Sequence, residues 1–144
     1  MIVRLVKGSD YYVISPLIND WWNGRQMSDL LPKLFFDHFK NTSFIVEEEG
    51  EIIGFLIGFL SQSYSNEAYI HFVGIHPQYR GKGIGRQLYN QFFDVIKQSG
   101  RNIVRCVTSP VNKASIAYHT KMGFEIEQGN KDNQDKVLFV KYLN

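Results

Sequence analysis

Apolar and polar positions recur along this chain with two different periods, and the switches between them mark out its elements. Alternating and continuous apolar runs predict strands over Ile2–Val6, Ser43–Glu49, Glu51–Leu60, Glu67–Ile75, Ile103–Thr108, Phe124–Gln128 and Lys136–Tyr142. Helical spacing predicts a helix running from a Ser9 or Asp10 cap towards Trp22. Leu31, Leu34, Phe35 and Phe39 suggest a second over Ser28–Phe39, which Pro32 either starts late or kinks. A third covers Gly83–Ser99 on the stripe Ile84, Leu88, Phe92 and Ile96, widened by Tyr89 and Val95, and a fourth spans Asn112–Met122, closed by Gly123. The order βααβββαβαββ is that of a mixed α/β sheet covered by helices. The longest apolar run, Ile52–Leu60, is far short of the ~20 residues a membrane span needs and is twice broken by glycine, so it reads as a strand buried on both faces.

Composition narrows the class. With 144 residues the chain is read as one domain over 1–144, and 44% hydrophobic residues supply a substantial core. A net charge of +2 argues against a nucleic-acid or other polyanion binder held by bulk charge, but leaves room for a local basic site. A single cysteine, Cys106, cannot form an intrachain disulfide; with no secretory-type apolar stretch at the start, the expected compartment is reducing and cytoplasmic. Cys106 lies mid-strand between apolar neighbours and reads as a buried, inert thiol. His38, His71, His76 and His119 show no metal-ligand spacing, so no metal is expected.

The chemistry concentrates in Val73–Leu88, VGIHPQYRGKGIGRQL, where a strand runs into a glycine-rich turn that opens directly into a helix. Gly81, Gly83 and Gly85 let the backbone approach a ligand closely, and the free N–H groups of a helix start make an anion site. Arg80, Lys82 and Arg86 add positive charge. Together these suit a phosphate or diphosphate. The nucleotide pattern G-x-x-x-x-G-K-[ST] fails because Gly83 follows Lys82, and G-x-G-x-x-G fails because its third position falls on Arg86. What remains is Gln78-x-x-Gly81-x-Gly83, repeated in register from Arg80 through Gly83 to Gly85.

This loop resembles the acyl-coenzyme-A loop of the GNAT N-acetyltransferase superfamily, and Asn112 through Gly123-Phe124 resembles that family's later motif. The likeness covers roughly the C-terminal two thirds of the chain. It implies a mostly antiparallel mixed sheet of six or seven strands with about four helices. It also implies acetyl-CoA as cofactor, held by Gln78, Arg80, Gly81, Lys82, Gly83, Ile84, Gly85, Arg86 and Asn112. The backbone of Phe72, Val73 and Ile75 would pair with the pantetheine arm where the strand parts from its neighbour. The N–H of Val73 would hold the thioester oxygen. Gly74 then either marks a bulge in that strand or is a packing glycine.

The implied reaction is direct attack of an amine on the thioester, which requires a base and a group for the leaving thiolate. The family's usual Tyr, seven residues after the Asn, is replaced by His119. One helical step is ~100°, so Tyr118 and His119 cannot both face the sulfur. Register favours His119; Tyr118 is the alternative acid or a core aromatic. Glu67, Tyr69 and His71 fall on one face of a period-two strand together with Val73 and Ile75. His71 or Glu67 is the candidate base, each with a purely structural alternative. By the same resemblance the acceptor lies towards the first two helices, where Trp21, Trp22 and Arg25 either clamp an aromatic, cationic or carboxylate-bearing amine or fill the core edge or an oligomer interface. Trp22, Arg25 and Tyr69 are the substrate-binding candidates. A small-molecule amine is the favoured acceptor. A protein N-terminus or lysine, and a non-catalytic acyl-CoA-binding module, are the alternatives, and a homodimer is plausible from the aromatic content.

Overall fold

A computed structural model describes residues 1–127 and 135–144. Seven strands form one sheet in the order β1-β2-β3-β4-β5-β7-β6: β1 Ile2–Leu5, β2 Phe44–Glu48, β3 Glu51–Leu60, β4 Glu67–Ile75, β5 Ile103–Thr108, β6 Glu125–Glu127 and β7 Val137–Tyr142. Every pairing is antiparallel except β4 with β5. The helices are α1 Asp10–Trp21, α2 Leu34–His38, α3 Ile84–Gln98 and α4 Lys113–Lys121. The mixed seven-stranded sheet with four helices is therefore the architecture expected. Gln128, expected to end the sixth strand, and the loop over 129–134 lie outside the described residues.

Two apolar clusters sandwich the sheet. On one face α3 presents Ile84, Leu88, Tyr89, Phe92 and Ile96 to Leu56, Ile70, Val104 and Phe139. Each fully buried side chain of that stripe contributes about 1.5–3 kcal/mol of transfer free energy. On the other face Ile14, Ile18 and Trp21 of α1, with Leu31 and Phe36, cover Ile45, Phe55, Ile57 and Phe72.

The second helix differs from expectation. Ser28–Leu30 is a single 3₁₀ turn, α2 is five residues long, and Lys40–Thr42 is another 3₁₀ turn. Pro32 explains the break: it has no N–H to donate and disfavours the helical conformation in the residue before it, and Leu31 is at φ −134°, ψ 69°. The region facing β4 from this side is thus built from short turns, which turn successive aromatic residues in different directions.

Candidate active site

The space between β4 and β5 comes from a ladder that stops early. Only Glu67↔Ile103, Ala68↔Val104 and Tyr69↔Arg105 pair; from Ile70 to Ile75 β4 continues against β3 alone. The expected parting of the strands is present, and it brings the backbone of Phe72, Val73 and Ile75 to its edge.

The bulge, however, is not at Gly74. Ile57 opposes Phe72 while Gly58 opposes Ile70, so His71 is the extra residue. The period-two reading fails there. Val73 and Ile75 pack towards α3, whereas His71 and Phe72 both turn to the α1/α2 face. Gly74 is a packing glycine: a Cβ there would lie 2.5 Å from the Phe55 ring and 3.1 Å from Trp22.

At the end of β4 the chain passes through a 3₁₀ turn, Pro77–Tyr79, into the glycine loop. Gly81 and Gly83 have φ of +78° and +83°, a region that L side chains enter only at a cost, and a Cβ on either would meet no atom within 4 Å. The cradle is therefore open on the outside. Gly83 caps α3 without a side-chain hydrogen bond, and among the described residues no protein acceptor is found for the N–H groups from Gly81 through Arg86. Lys82 and Arg86 are exposed, with the Lys82 ammonium 5.3 Å from the centre of the Tyr79 ring. Ile84 turns its side chain into the core, so only its backbone faces the cradle. These features fit a diphosphate held by peptide N–H groups at a helix start.

Arg80 behaves otherwise than expected: its guanidinium donates to the carbonyl oxygens of Trp21 at 2.7 Å and Ile75 at 3.3 Å, tying the end of α1 to the end of β4. Gln78 is exposed, and its peptide N–H already donates to His76 Nδ1. Asn112 caps α4, its Oδ1 accepting from the Ser115 N–H at 3.1 Å.

The expected orientation of Tyr118 and His119 is inverted. His119 is 9% exposed and stacks on Phe139. Its Nδ1 lies 2.8 Å from the Ser115 carbonyl oxygen, so Nδ1 carries the proton; Nε2, 2.8 Å from the Tyr89 hydroxyl, then accepts from it. Burial pulls the His119 pKa below the ordinary histidine value, opposed by the bond to Ser115, and burial raises that of Tyr89 well above the ordinary phenol value. Tyr118, one step round the helix, is exposed at 37%, and its hydroxyl is 2.8 Å from where a Cβ on Gly85 would be. A larger residue at 85 would displace the end of that ring. Burial raises the Tyr118 pKa and the Arg86 charge opposes the shift. Sequence reasoning placed Tyr89 in the apolar stripe of α3 and missed its hydroxyl, because periodicity reports which face is buried and not which polar atoms meet there.

On the opposite side of β4, Glu67 is held by Arg105 at 2.8 Å, and Arg105 also donates to Glu127 at 2.7 Å. His71 stacks on Phe35, ring centres 4.2 Å apart and 3° from parallel, with Nε2 2.7 Å from the Leu30 carbonyl oxygen. A carbonyl can only accept, so Nε2 carries a proton, and in the neutral ring the lone pair is on Nδ1. Tyr69 stacks on Phe59, while Phe59 meets Phe39, and Phe39 meets Phe35, with the rings tilted by 38° and 32°. Trp22 meets Phe72 edge-on at 5.2 Å, while Arg25 projects, exposed, from the turn after α1. Trp21, by contrast, is core, stacked on Phe55. Cys106 is buried, its thiol pushed up to about 12 by burial, far from the range of a reactive cysteine. No described group of three His, Cys, Asp or Glu side chains could hold a metal ion, and no described helix is long and apolar enough to cross a membrane.

Several solved structures share this fold. The diaminobutyrate acetyltransferase EctA from Paenibacillus lautus, in complex with L-2,4-diaminobutyric acid and coenzyme A, superposes with a TM-score of 0.77 at 22% identity, over 98% of this chain and 93% of that one. Ard1 from Thermoplasma volcanium gives 0.81 at 18% identity, over 99% and 97%. In sequence, an L-2,4-diaminobutyric acid acetyltransferase of Virgibacillus pantothenticus is 33% identical over 82 residues, 57% of this chain and 52% of that protein. An L-methionine sulfoximine/L-methionine sulfone acetyltransferase of Salmonella typhimurium is 30% identical over 84 residues, 57% of this chain and 49% of that protein. The matches thus span about half the length of these curated relatives. The model of the acetyltransferase (GNAT) family matches residues 11–124, a stretch that holds the glycine cradle, the parted strands and α4 alike, and the chain belongs to that family.

Proposed function

We propose that this protein is an acetyl-CoA-dependent N-acetyltransferase acting on a small-molecule primary amine. The observation that carries the reading is the open cradle of N–H groups at residues 81–86, set at the mouth of the gap between β4 and β5. Acetyl-CoA, when bound, supplies the thioester-activated acetyl group. The chain's own residues do the rest. The N–H groups from Gly81 to Arg86 hold the diphosphate, with Lys82 and Arg86 adding charge. The backbone of Phe72, Val73 and Ile75 binds the pantetheine arm, and the Val73 N–H polarises the thioester carbonyl. His71 Nδ1, its tautomer fixed by the Leu30 carbonyl, takes a proton from the acceptor ammonium. Tyr118 covers the cofactor at Gly85 and is the side chain on that side able to give a proton to the departing thiolate. The small-molecule class is supported by the names of the sequence relatives, two enzymes of amino-acid-like amines.

Titration calorimetry with acetyl-CoA, followed by thiol release in the presence of a panel of amines, tests the reading. Binding together with amine-dependent release is the expected result. No heat with acetyl-CoA overturns it, and binding without turnover on any amine or peptide favours an acyl-CoA-binding module.

A further inference from the structure

The last turn of α1 ends without a cation of its own: Asn19, Asp20 and Trp21 close it, and the Trp21 carbonyl oxygen accepts from no described backbone N–H. A helix C-terminus carries partial negative charge and bare carbonyls, so this end calls for a donor from elsewhere. Arg80 supplies it. From 59 positions away its Nη2 donates to the Trp21 oxygen at 2.7 Å, while its Nε donates to the Ile75 oxygen at 3.3 Å. Among the described residues Arg80 is the only cation of the loop that donates to protein acceptors.

Arg80 thereby joins two peptides. The Trp21 carbonyl belongs to the same planar peptide as the Trp22 nitrogen, so gripping it fixes the backbone from which the Trp22 ring projects. That ring lies over the stretch of β4 that has no β5 partner. It meets Phe72 edge-on at 5.2 Å and comes within 3.1 Å of the position a Gly74 Cβ would take, so its contacts flank Val73. The Arg80 carbonyl, in turn, shares its peptide with the Gly81 N–H, the first of the cradle. Gly81 is at φ +78° with open space round its Cβ position, so packing does not hold it in place.

Resting on the cofactor half of the acetyltransferase reading, we propose that Arg80 is a positioning residue and not a cofactor ligand. A diphosphate bound by the Gly81 N–H fixes the main chain of Arg80. The guanidinium carries that constraint to the end of α1 and sets Trp22 as the acceptor-side wall beside Val73.

The chain's two tryptophans are Trp21, which is buried, and Trp22, which is half-buried, so indole emission reports on this joint alone. The test follows acrylamide quenching of that emission in the parent and in Arg80→Gln, without and with saturating coenzyme A, together with calorimetry of coenzyme A binding. The proposal expects coenzyme A to lower the parent's quenching constant about twofold and that of the variant less than about 1.3-fold. It also expects the variant to bind coenzyme A within about threefold of the parent. Cover by the coenzyme itself is common to both proteins, so the difference between them isolates the tie. Should Arg80→Gln fail to fold, Arg80→Lys, which keeps the charge and gives up the two-carbonyl fork, is read in the same way. Equal changes in the two proteins overturn the proposal, as does no change in the parent. A larger loss of affinity in the variant also overturns it and makes Arg80 a contact of the diphosphate. Failure of the parent to bind coenzyme A overturns this inference and the cofactor reading together.

Discussion

The two sides of β4 recognise by different means. Towards α3 the site is made of backbone: peptide N–H groups at residues 81–86, a strand edge without a partner, and glycines that keep both accessible. Towards α1 and α2 it is made of side chains, nearly all aromatic, carried by β3, β4 and the short helical segments after α1. A backbone site can bind only what every peptide can bind, here an anion and the amides of an extended arm. A side-chain site can be changed residue by residue without disturbing the fold. The division lets one scaffold keep its carrier and exchange its acceptor.

The sharpest way to break this contrast is to substitute the cradle. Gly83→Glu puts a Cβ at φ +83° and a carboxylate where a diphosphate would sit, and acetyl-CoA affinity should fall at least about a thousandfold by calorimetry. Gly83→Asn, which tolerates that conformation better, should lose far less. If the two variants bind equally well, peptide geometry is not what holds the carrier.

Next in size is His119→Ala, which strips a partner from the buried Tyr89 hydroxyl and leaves a cavity against Phe139. A loss of about 3 kcal/mol in urea unfolding is expected. The acid side supplies a second reading. The folded protein holds His119 neutral below the ordinary value of about 6.5, whereas the unfolded chain titrates there. Its contribution to stability is therefore full above about pH 6.5 and is lost as pH falls from there through the depressed folded value. Between about pH 7 and about pH 5 the parent protein should lose more stability than His119→Gln.

Gly74→Ala is expected to cost about 2 kcal/mol, because its Cβ meets Phe55 and Trp22 together; a neutral effect in urea unfolding would show that these rings give way. Tyr118→Phe removes only a hydroxyl and should lower kcat by about tenfold, ~1.4 kcal/mol in the barrier, at unchanged acetyl-CoA affinity. A loss of affinity at unchanged kcat would instead make that hydroxyl a cofactor contact. The smallest effect is expected of Glu67→Gln, below about 1 kcal/mol in stability, since its partner Arg105 keeps Glu127. A hundredfold loss of turnover there would move the base from His71 to Glu67.

The same contrast explains what was legible in the sequence. Glycines at 81 and 83, between a strand and a helix, announce a backbone site because few other residues suit those dihedral angles. The apolar stripe of α3 announces its buried face. The inverted pair Tyr118 and His119 was not legible: one helical step separates them, and the choice is made by Tyr89, thirty positions away, whose hydroxyl takes His119 inward. Nor was the bulge at His71. Gly74 had the composition of an irregular position, yet the extra residue lies three places earlier, where only pairing with β3 reveals it. Arg80 read as free charge because its carbonyl partner, Trp21, is remote in sequence.

The three-rung ladder between β4 and β5 has one more consequence. Past Tyr69 the flank of β4 turned away from β3 has no strand beside it, so peptide hydrogens pointing that way should exchange with deuterated solvent faster than their neighbours in the same strand. A molecule that lies along this flank and accepts from those hydrogens becomes, in effect, a temporary eighth member of the sheet. Slowed exchange confined to Ile70–Ile75 would then record its arrival even if no chemistry followed.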